Sequence, residues 1–300
     1  MYLMQMVMKI FRLNKIQKIA AVILWALPVL TIRAQQPLFT AMPSQKTGVD
    51  FTNRIPENNS LHIMNYEYLY NGHGIGIGDF NNDGFEDIFI SGNAVPNKLF
   101  LNKGKLPAGS EGFNFEDITK QAGVAGNGTW STGVVIADIN GDGLMDIYVC
   151  HSGKYADPKD LSNELFLNQG TQNGLPVFKE SAAQCGLDAP GTQSTMAVFF
   201  DYDHDGDLDM FLVNHALHSY DPFENTTKMR GEPSLQFGNR LFKNMLAESG
   251  KLTFTDVTSS SGIINNALNY GLSVSISDLN MDGWPIYIHQ VIIQKKIVTT

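Results

Sequence analysis

The stretch DYDHDGDLDMFLV, residues 201–213, alternates carboxylates with other residues and then becomes an apolar run. Carboxylates fall at loop positions one, three, five, seven and nine, and glycine stands at position six. Alternate side chains of a tight loop converge on one point, the glycine permits the sharp turn, and the seventh residue offers its carbonyl. Calcium takes six to eight oxygen ligands, so this stretch predicts a calcium loop between two strands.

The same pattern occurs three more times, in residues 74–90, 132–149 and 272–288. The candidate calcium ligands of the four loops, with Phe85 and Leu144 as position-seven carbonyl donors, are Asp79, Asn81, Asp83, Phe85 and Asp87; Asp138, Asn140, Asp142, Leu144 and Asp146; Asp201, Asp203, Asp205, Asp207 and Asp209; and Asp278, Asn280 and Asp282. Ile286 occupies position nine of the fourth copy, so we expect that site to be incomplete.

The loops have two other interpretations. An EF-hand needs Glu at position twelve and a helix on each side, whereas Ile90, Val149 and Leu212 stand there between strand-like flanks. Asp, Asn and Gly also make good hairpin turns, which is the structural alternative for any single loop. Four copies at the same place in a repeat favour calcium.

Two further signatures recur between the loops. Asn-x-Leu-Phe-x-Asn occupies 97–102, 163–168 and 239–244, and a run that begins with Phe occupies 115–119, 178–181 and 254–258. Each unit therefore offers about four short strands, which is the strand count of a propeller blade. The sequence predicts an all-β fold, an incomplete β-propeller of about four four-stranded blades.

Taken together, these signatures resemble FG-GAP (VCBS-like) repeats, which form integrin-type propellers. They are most similar to bacterial exported FG-GAP proteins that are related to cartilage acidic protein and often carry an ASPIC/UnbV domain. The resemblance covers roughly residues 38–288. It implies a ring of seven blades and an ASPIC/UnbV domain, of which this sequence shows about four repeats and no such domain.

The end of the sequence departs from the repeat. Trp284-Pro285-Ile286 resembles a family Trp-Pro-Asp-Ile from which the Asp is lost, and residues 289–300 match nothing in the repeat. A truncated or frameshifted reading frame is one interpretation of this end. In that case a non-functional gene product is an alternative to a working protein. An open set of blades would leave apolar faces and a strand edge bare.

The first 34 residues read as a targeting segment. They contain five basic side chains and no acidic one, and residues 19–30 are apolar. An apolar run of 12 residues fits a signal peptide better than a membrane span, which needs roughly 20. We expect residues 1–34 to be a signal peptide, 35–288 the repeat region and 289–300 an unmatched tail. An uncleaved membrane anchor is the alternative.

Composition limits the partners. The formal net charge is −9, and the five basic residues of the first segment are part of a total of 21 set against 30 acidic ones. The chain after residue 34 is therefore more acidic than the whole, and we expect it to repel nucleic acid and to attract cations. Cys150 and Cys185 show no metal-ligand spacing, and we expect two free thiols.

The sequence therefore predicts an exported calcium-binding module for binding, adhesion or scaffolding. Its expected partner is an extracellular protein or glycan, with membrane contact only through an uncleaved first segment. We expect no enzymatic activity. The alternative is a polysaccharide lyase or hydrolase on a propeller scaffold, for which the linker 214–238, with His215, His218, Tyr220 and Arg230, is the one candidate region.

The targeting interpretation can be tested directly. When the full chain is expressed in a bacterium with a functional export pathway, we expect the mature protein to begin at Gln35, because the best cleavage point follows Ala34. Mass spectrometry of the intact protein measures this. Recovery of residues 1–34 still attached, in the membrane fraction, would identify an anchor instead.

Overall fold

The structure, a computed structural model, describes residues 38–104, 112–217 and 226–291. The predicted signal segment and residues 292–300 lie outside the described residues. The chain divides into two compact units, Met1–Met42 and Pro43–Thr300, and the sheets belong to the second. Among the described residues, no helix has both the length and the apolar character that crossing a membrane requires.

Fourteen strands of the described residues form four antiparallel sheets in chain order. The first sheet contains β1 (Ile75–Gly78), β2 (Asp87–Ile90), β3 (Lys98–Asn102) and β4 (Phe115–Asp117). The second contains β5 (Trp130–Ala137), β6 (Asp146–Ser152), β7 (Glu164–Gln172) and β8 (Leu175–Glu180). The third contains β9 (Ser194–Phe200), β10 (Asp209–Asn214), β11 (Arg240–Asn244) and β12 (Phe254–Asp256). The fourth pairs β13 (Gly271–Ser277) with β14 (Ile286–Val291).

Helical structure in the described residues is limited to short segments of four to six residues. These segments are α1 (Ser44–Thr47), α2 (Thr119–Ala122), a 3-10 turn (Pro158–Leu161), α3 (Ala182–Cys185), α4 (Thr226–Gly231) and α5 (Leu246–Ser249). The all-β prediction and the propeller-like four-stranded blades are thus confirmed for three sheets. The fourth has two described strands. Its β14 runs on to Val291, so residues 289–291 of the predicted tail continue the last strand.

The Asn-x-Leu-Phe signature closes the end of each blade that lies away from the Asp loops. Through Oδ1, its first asparagine accepts a backbone N–H from a residue at or just after the end of the second strand. The donors are Gly92 to Asn97 at 3.1 Å, His151 to Asn163 at 2.8 Å and Asn214 to Asn239 at 3.1 Å. All three asparagines are buried, so each replaces water as the partner of a backbone group.

The fourth strand is tied to the third by one hydroxyl. Thr119 Oγ1 accepts the N–H of Leu99, and Thr258 Oγ1 accepts that of Leu241, each at 2.9 Å. The second blade has Ala182 at the corresponding position. There Glu180 Oε1 accepts the N–H of Leu165 at 3.2 Å instead. The same backbone donor is therefore satisfied by two different chemistries in neighbouring blades.

Blades pack on each other in chain order, through their first strands: β1 contacts β5, β5 contacts β9, and β9 contacts β13. Side chains alternate between the two neighbouring cores. Ile147 and Val149 face the first blade, whereas Tyr148 and Cys150 face the third. This period of two makes each central strand buried on both faces, as all seven residues of β6 are.

The alternating glycines of β1 allow this close approach. A Cβ added at Gly76 would lie 2.6 Å from the Ile136 side chain, and one added at Gly74 would lie 2.6 Å from Val134. A side chain at either position would push the second blade away from β1. The opposite face of β1 is bare, because Ile75 and Ile77 are 59% and 62% exposed.

One buried polar pair lies within the second blade. His151 Nε2 is 3.5 Å from Glu164 Oε2, and Ser131 Oγ lies 3.2 Å from the same ring nitrogen. Burial lowers the pKa of His151 to about 4. Burial, with the charge of Glu180 as a further contribution, raises the pKa of Glu164 to about 7. Both groups are therefore held towards their uncharged forms.

Stability should depend on pH through Glu164. A free Glu titrates near about 4.3, so the folded state binds this proton more tightly and loses stability as pH rises towards about 7. We expect Glu164→Gln to stabilise the protein at pH 8 by about 1–2 kcal/mol and to be near neutral at pH 5. Urea unfolding at both pH values measures this. Glu116→Gln, an exposed glutamate of β4, is the matched control, and an equal effect at both pH values would contradict the assignment.

Candidate metal sites

Each Asp loop joins the first two strands of its sheet. The carboxylate at position one accepts the N–H of the glycine at position six: Gly84 to Asp79, Gly143 to Asp138, Gly206 to Asp201 and Gly283 to Asp278, at 2.7–3.1 Å. These glycines have φ of 84° to 95°, a region that other residues rarely adopt. The four loops therefore share one backbone conformation.

The carboxylate at position nine is buried and ties the loop to the third strand. In each of the first three loops one oxygen accepts the N–H of the residue at position two, at 3.0 Å. The other oxygen accepts the N–H of the last signature asparagine. These second donors are Asn102 to Asp87, Asn168 to Asp146 and Asn244 to Asp209, at 2.7–2.8 Å.

Burial raises the pKa of all three of these carboxyl groups. The pKa of Asp87 rises to about 6, and those of Asp146 and Asp209 rise to about 7. Desolvation is the main cause, and neighbouring loop aspartates add to it, against the backbone hydrogen bonds. A cation near these carboxylates would offset both contributions.

Positions three and five differ between the loops. Where position three is Asn, its amide donates to the Asp at position five. These bonds join Asn81 to Asp83, Asn140 to Asp142 and Asn280 to Asp282, at 2.8–2.9 Å. The N–H groups of Phe85 and Leu144 donate to Asp83 and Asp142 at 2.9 Å. Their predicted role as carbonyl ligands stays a prediction.

The third loop brings carboxylates together. Oxygens of Asp201, Asp203 and Asp209 lie within 4.8 Å of one another, as do oxygens of Asp205, Asp207 and Glu248. Within the described ranges, these are the two groups of three that are so tightly gathered. The first and second loops do not gather three carboxylates so closely, and the fourth lacks the ninth carboxylate.

The donor set of the third loop fits calcium. Asp201 Oδ1, Asp203 Oδ1 and Asp207 Oδ1 are shielded from solvent and accept no hydrogen bond. A buried oxygen without a partner costs free energy, and anionic oxygens cost more than neutral ones. All candidate ligands are oxygen atoms, which is the donor type that calcium takes. The residues present therefore match a hard divalent cation.

Two residues of this site were missed by sequence reasoning. Lys243 Nζ bonds to Asp203, lies 3.2 Å from Asp205 Oδ2 and lies 2.6 Å from Glu248 Oε1. Glu248 belongs to α5, which follows the signature asparagine of the third blade, whereas in the second blade β7 continues past that asparagine. The available signal was Lys243 itself, since the other two signatures have leucine there.

The linker 214–238, the candidate region for an enzymatic site, is only partly described by the structure. His215 is buried, and its ring centroid lies 3.8 Å from that of Tyr68. Thr226–Gly231 is helical. His218, Tyr220 and Phe223 lie outside the described residues. Outside the linker, His204 of the third loop is exposed and stacks on Trp284 of the fourth loop with 4.2 Å between ring centroids.

Comparison of the sequence with known proteins identifies the repeat that the sequence signatures resemble. Residues 79–149, which include the first two loops, match a family described as FG-GAP-like repeat. Over 145 residues the chain is 34% identical to cartilage acidic protein 1 of Xenopus tropicalis, across 48% of this chain and 20% of that protein. Over 210 residues it is 28% identical to cartilage acidic protein 1 of Homo sapiens, across 68% of this chain and 29% of that protein. The chain thus spans less than a third of the length of these relatives.

The third and fourth loops can be compared at one position. Asp201→Asn and Asp278→Asn both remove the first carboxylate while keeping an acceptor for the glycine N–H. We expect Asp201→Asn to abolish more of the calcium-dependent rise in Tm, because the third loop keeps its ninth carboxylate. Thermal unfolding of both variants with calcium and with chelator measures this. A larger loss for Asp278→Asn would contradict the ranking.

Proposed function

This chain carries FG-GAP-like repeats, and from that premise we propose that it is an exported calcium-binding module for binding, adhesion or scaffolding. The observation that carries the proposal is the third loop, where three carboxylate oxygens are shielded and accept no hydrogen bond. Asp201, Asp203 and Asp209 would hold the ion, with Asp205 and Asp207 beside them. Calcium supplies charge compensation and a fixed loop, and no bond-making chemistry is asked of it.

Electrostatics explains why the ion matters. Two unit charges 4 Å apart repel by about 1 kcal/mol at the dielectric of water and by about 4 kcal/mol near a protein surface. The third loop has five aspartates within nine residues. A bound divalent cation converts these repulsions into attractions, so it stabilises the turn between β9 and β10 and with it the packing of the third blade.

The proposal places no catalysis in the described residues. One group in the described residues has the composition of a catalytic triad: Ser131, His151 and Glu164. Both the serine and the glutamate contact Nε2 of the histidine. A nucleophile triad uses one ring nitrogen for the hydroxyl and the other for the acid. The three side chains are also buried, so a substrate has no access to them.

Export and partner choice rest on the sequence. The basic first segment with its apolar run supports passage out of the cytoplasm. Acidic loops on a rigid scaffold of sheets offer a calcium-dependent surface to an extracellular protein or a glycan. The relatives named cartilage acidic protein 1 support a role of this class.

Chelation provides the test. We expect excess chelator to lower the Tm of residues 35–300 by several degrees and calcium to restore it. A ligand at 100 times its Kd stabilises by about 2.7 kcal/mol, and 1 kcal/mol corresponds to roughly 2–4 °C at this size. Calorimetry with calcium, magnesium or chelator measures the shift. Magnesium should restore less, because it demands a smaller octahedral site. Identical melting curves with calcium and with chelator would refute calcium binding.

A further inference from the structure

The third blade differs from the first two at two positions that face each other. Position three of its loop is Asp203, where the other loops have asparagine. The fifth residue of its Asn-x-Leu-Phe-x-Asn signature is Lys243, where the first two blades have Leu101 and Leu167. These positions lie 40 residues apart in the chain, and the Lys243 ammonium bonds to the Asp203 carboxylate.

The two changes compensate each other chemically. In the first two loops the asparagine at position three donates its amide to the aspartate at position five. Asp203 cannot donate, so Asp205 loses that partner. Lys243 supplies the missing hydrogens, since its Nζ bonds to Asp203 Oδ2 and lies 3.2 Å from Asp205 Oδ2. Glu248 Oε1, at 2.6 Å, completes the three acceptors that an ammonium group can serve.

The ammonium is held in place on three sides. Its side chain is 20% exposed, which leaves it less screened than a surface lysine. The hydrogen bonds that the ammonium donates to Asp203, Glu248 and Asp205 raise the pKa of Lys243 above its ordinary value. All three acceptors are carboxylate oxygens, so the cation lies among the negative charges that it balances.

We propose that Lys243 is a built-in counter-ion of the third loop that holds its carboxylates together without metal and competes with calcium for Asp203 and Asp205. This inference rests on the proposed calcium function. Calcium must share or displace the ammonium, so the third site responds at a higher calcium concentration than the same loop without the lysine. The third loop also keeps its shape when calcium is scarce.

The test replaces Lys243 with the residue found in the first two blades. Terbium, a calcium substitute, is titrated into Trp284→Phe protein while tyrosine is excited, because Tyr202 lies inside the third loop. We expect Lys243→Leu to tighten terbium and calcium binding at this loop by at least about threefold. We also expect it to enlarge the drop in Tm on chelation. Lys120→Leu, an exposed lysine of the first blade, is the matched control and should change neither quantity.

Each outcome decides the matter. Weaker binding in Lys243→Leu would show that the lysine assists calcium, which overturns competition. An equal loss of Tm with and without calcium would assign Lys243 a structural role only. If Lys243→Leu does not fold, Lys243→Met, which keeps the length of the side chain, gives the same comparison. Absence of any terbium or calcium response in the unchanged protein would instead refute the calcium function itself.

Discussion

A buried carboxylate that accepts two backbone N–H groups is the interaction on which each blade depends. Asp87, Asp146 and Asp209 each join the start of the Asp loop to the last asparagine of the third strand. That asparagine in turn donates to the carbonyl at position eight, at 3.1–3.2 Å. These hydrogen bonds join the Asp loop to the first three strands of each of these sheets. The side chains that make them belong to the Asp loop and to the Asn-x-Leu-Phe-x-Asn signature. Any metal role of these loops is added to a fold that already needs them.

The blades then depend on each other in series. The central strands β6 and β10 each supply alternate side chains to the core before them and the core after them, so these sheets do not bury their faces alone. Glycine on β1 allows the second blade to approach, while Ile75 and Ile77 on the opposite face have no comparable neighbour among the described residues. Stability in such an arrangement is approximately a sum over the sheets and the contacts between neighbouring sheets.

Much of this could be predicted because the repeat writes each feature several times. The loops, the two further signatures and the strand order all follow from positions such as Asp79, Asn97 and Phe115, which recur at fixed places in the unit. Features that occur once could not be predicted in this way. The Lys243 contacts join a strand to a loop and a helix, the buried His151–Glu164 pair joins two strands, and neither leaves a periodic trace in the sequence. A departure from the repeat is also readable in the sequence: Ile286 at the ninth position predicts that the fourth site is incomplete.

Cys150 and Cys185 were expected to be free, and both thiols are unpaired and lie in the core between the second and third blades. Burial raises the pKa of both thiols, so little of either is the reactive thiolate. A thiol reagent reaches them only when that interface opens. The rate at which they are modified therefore reports how often the second and third sheets separate, and the natural cysteines serve as the probes. Fast modification would show that the repeat region opens between its second and third sheets, and slow modification would show that this interface stays closed while other parts unfold.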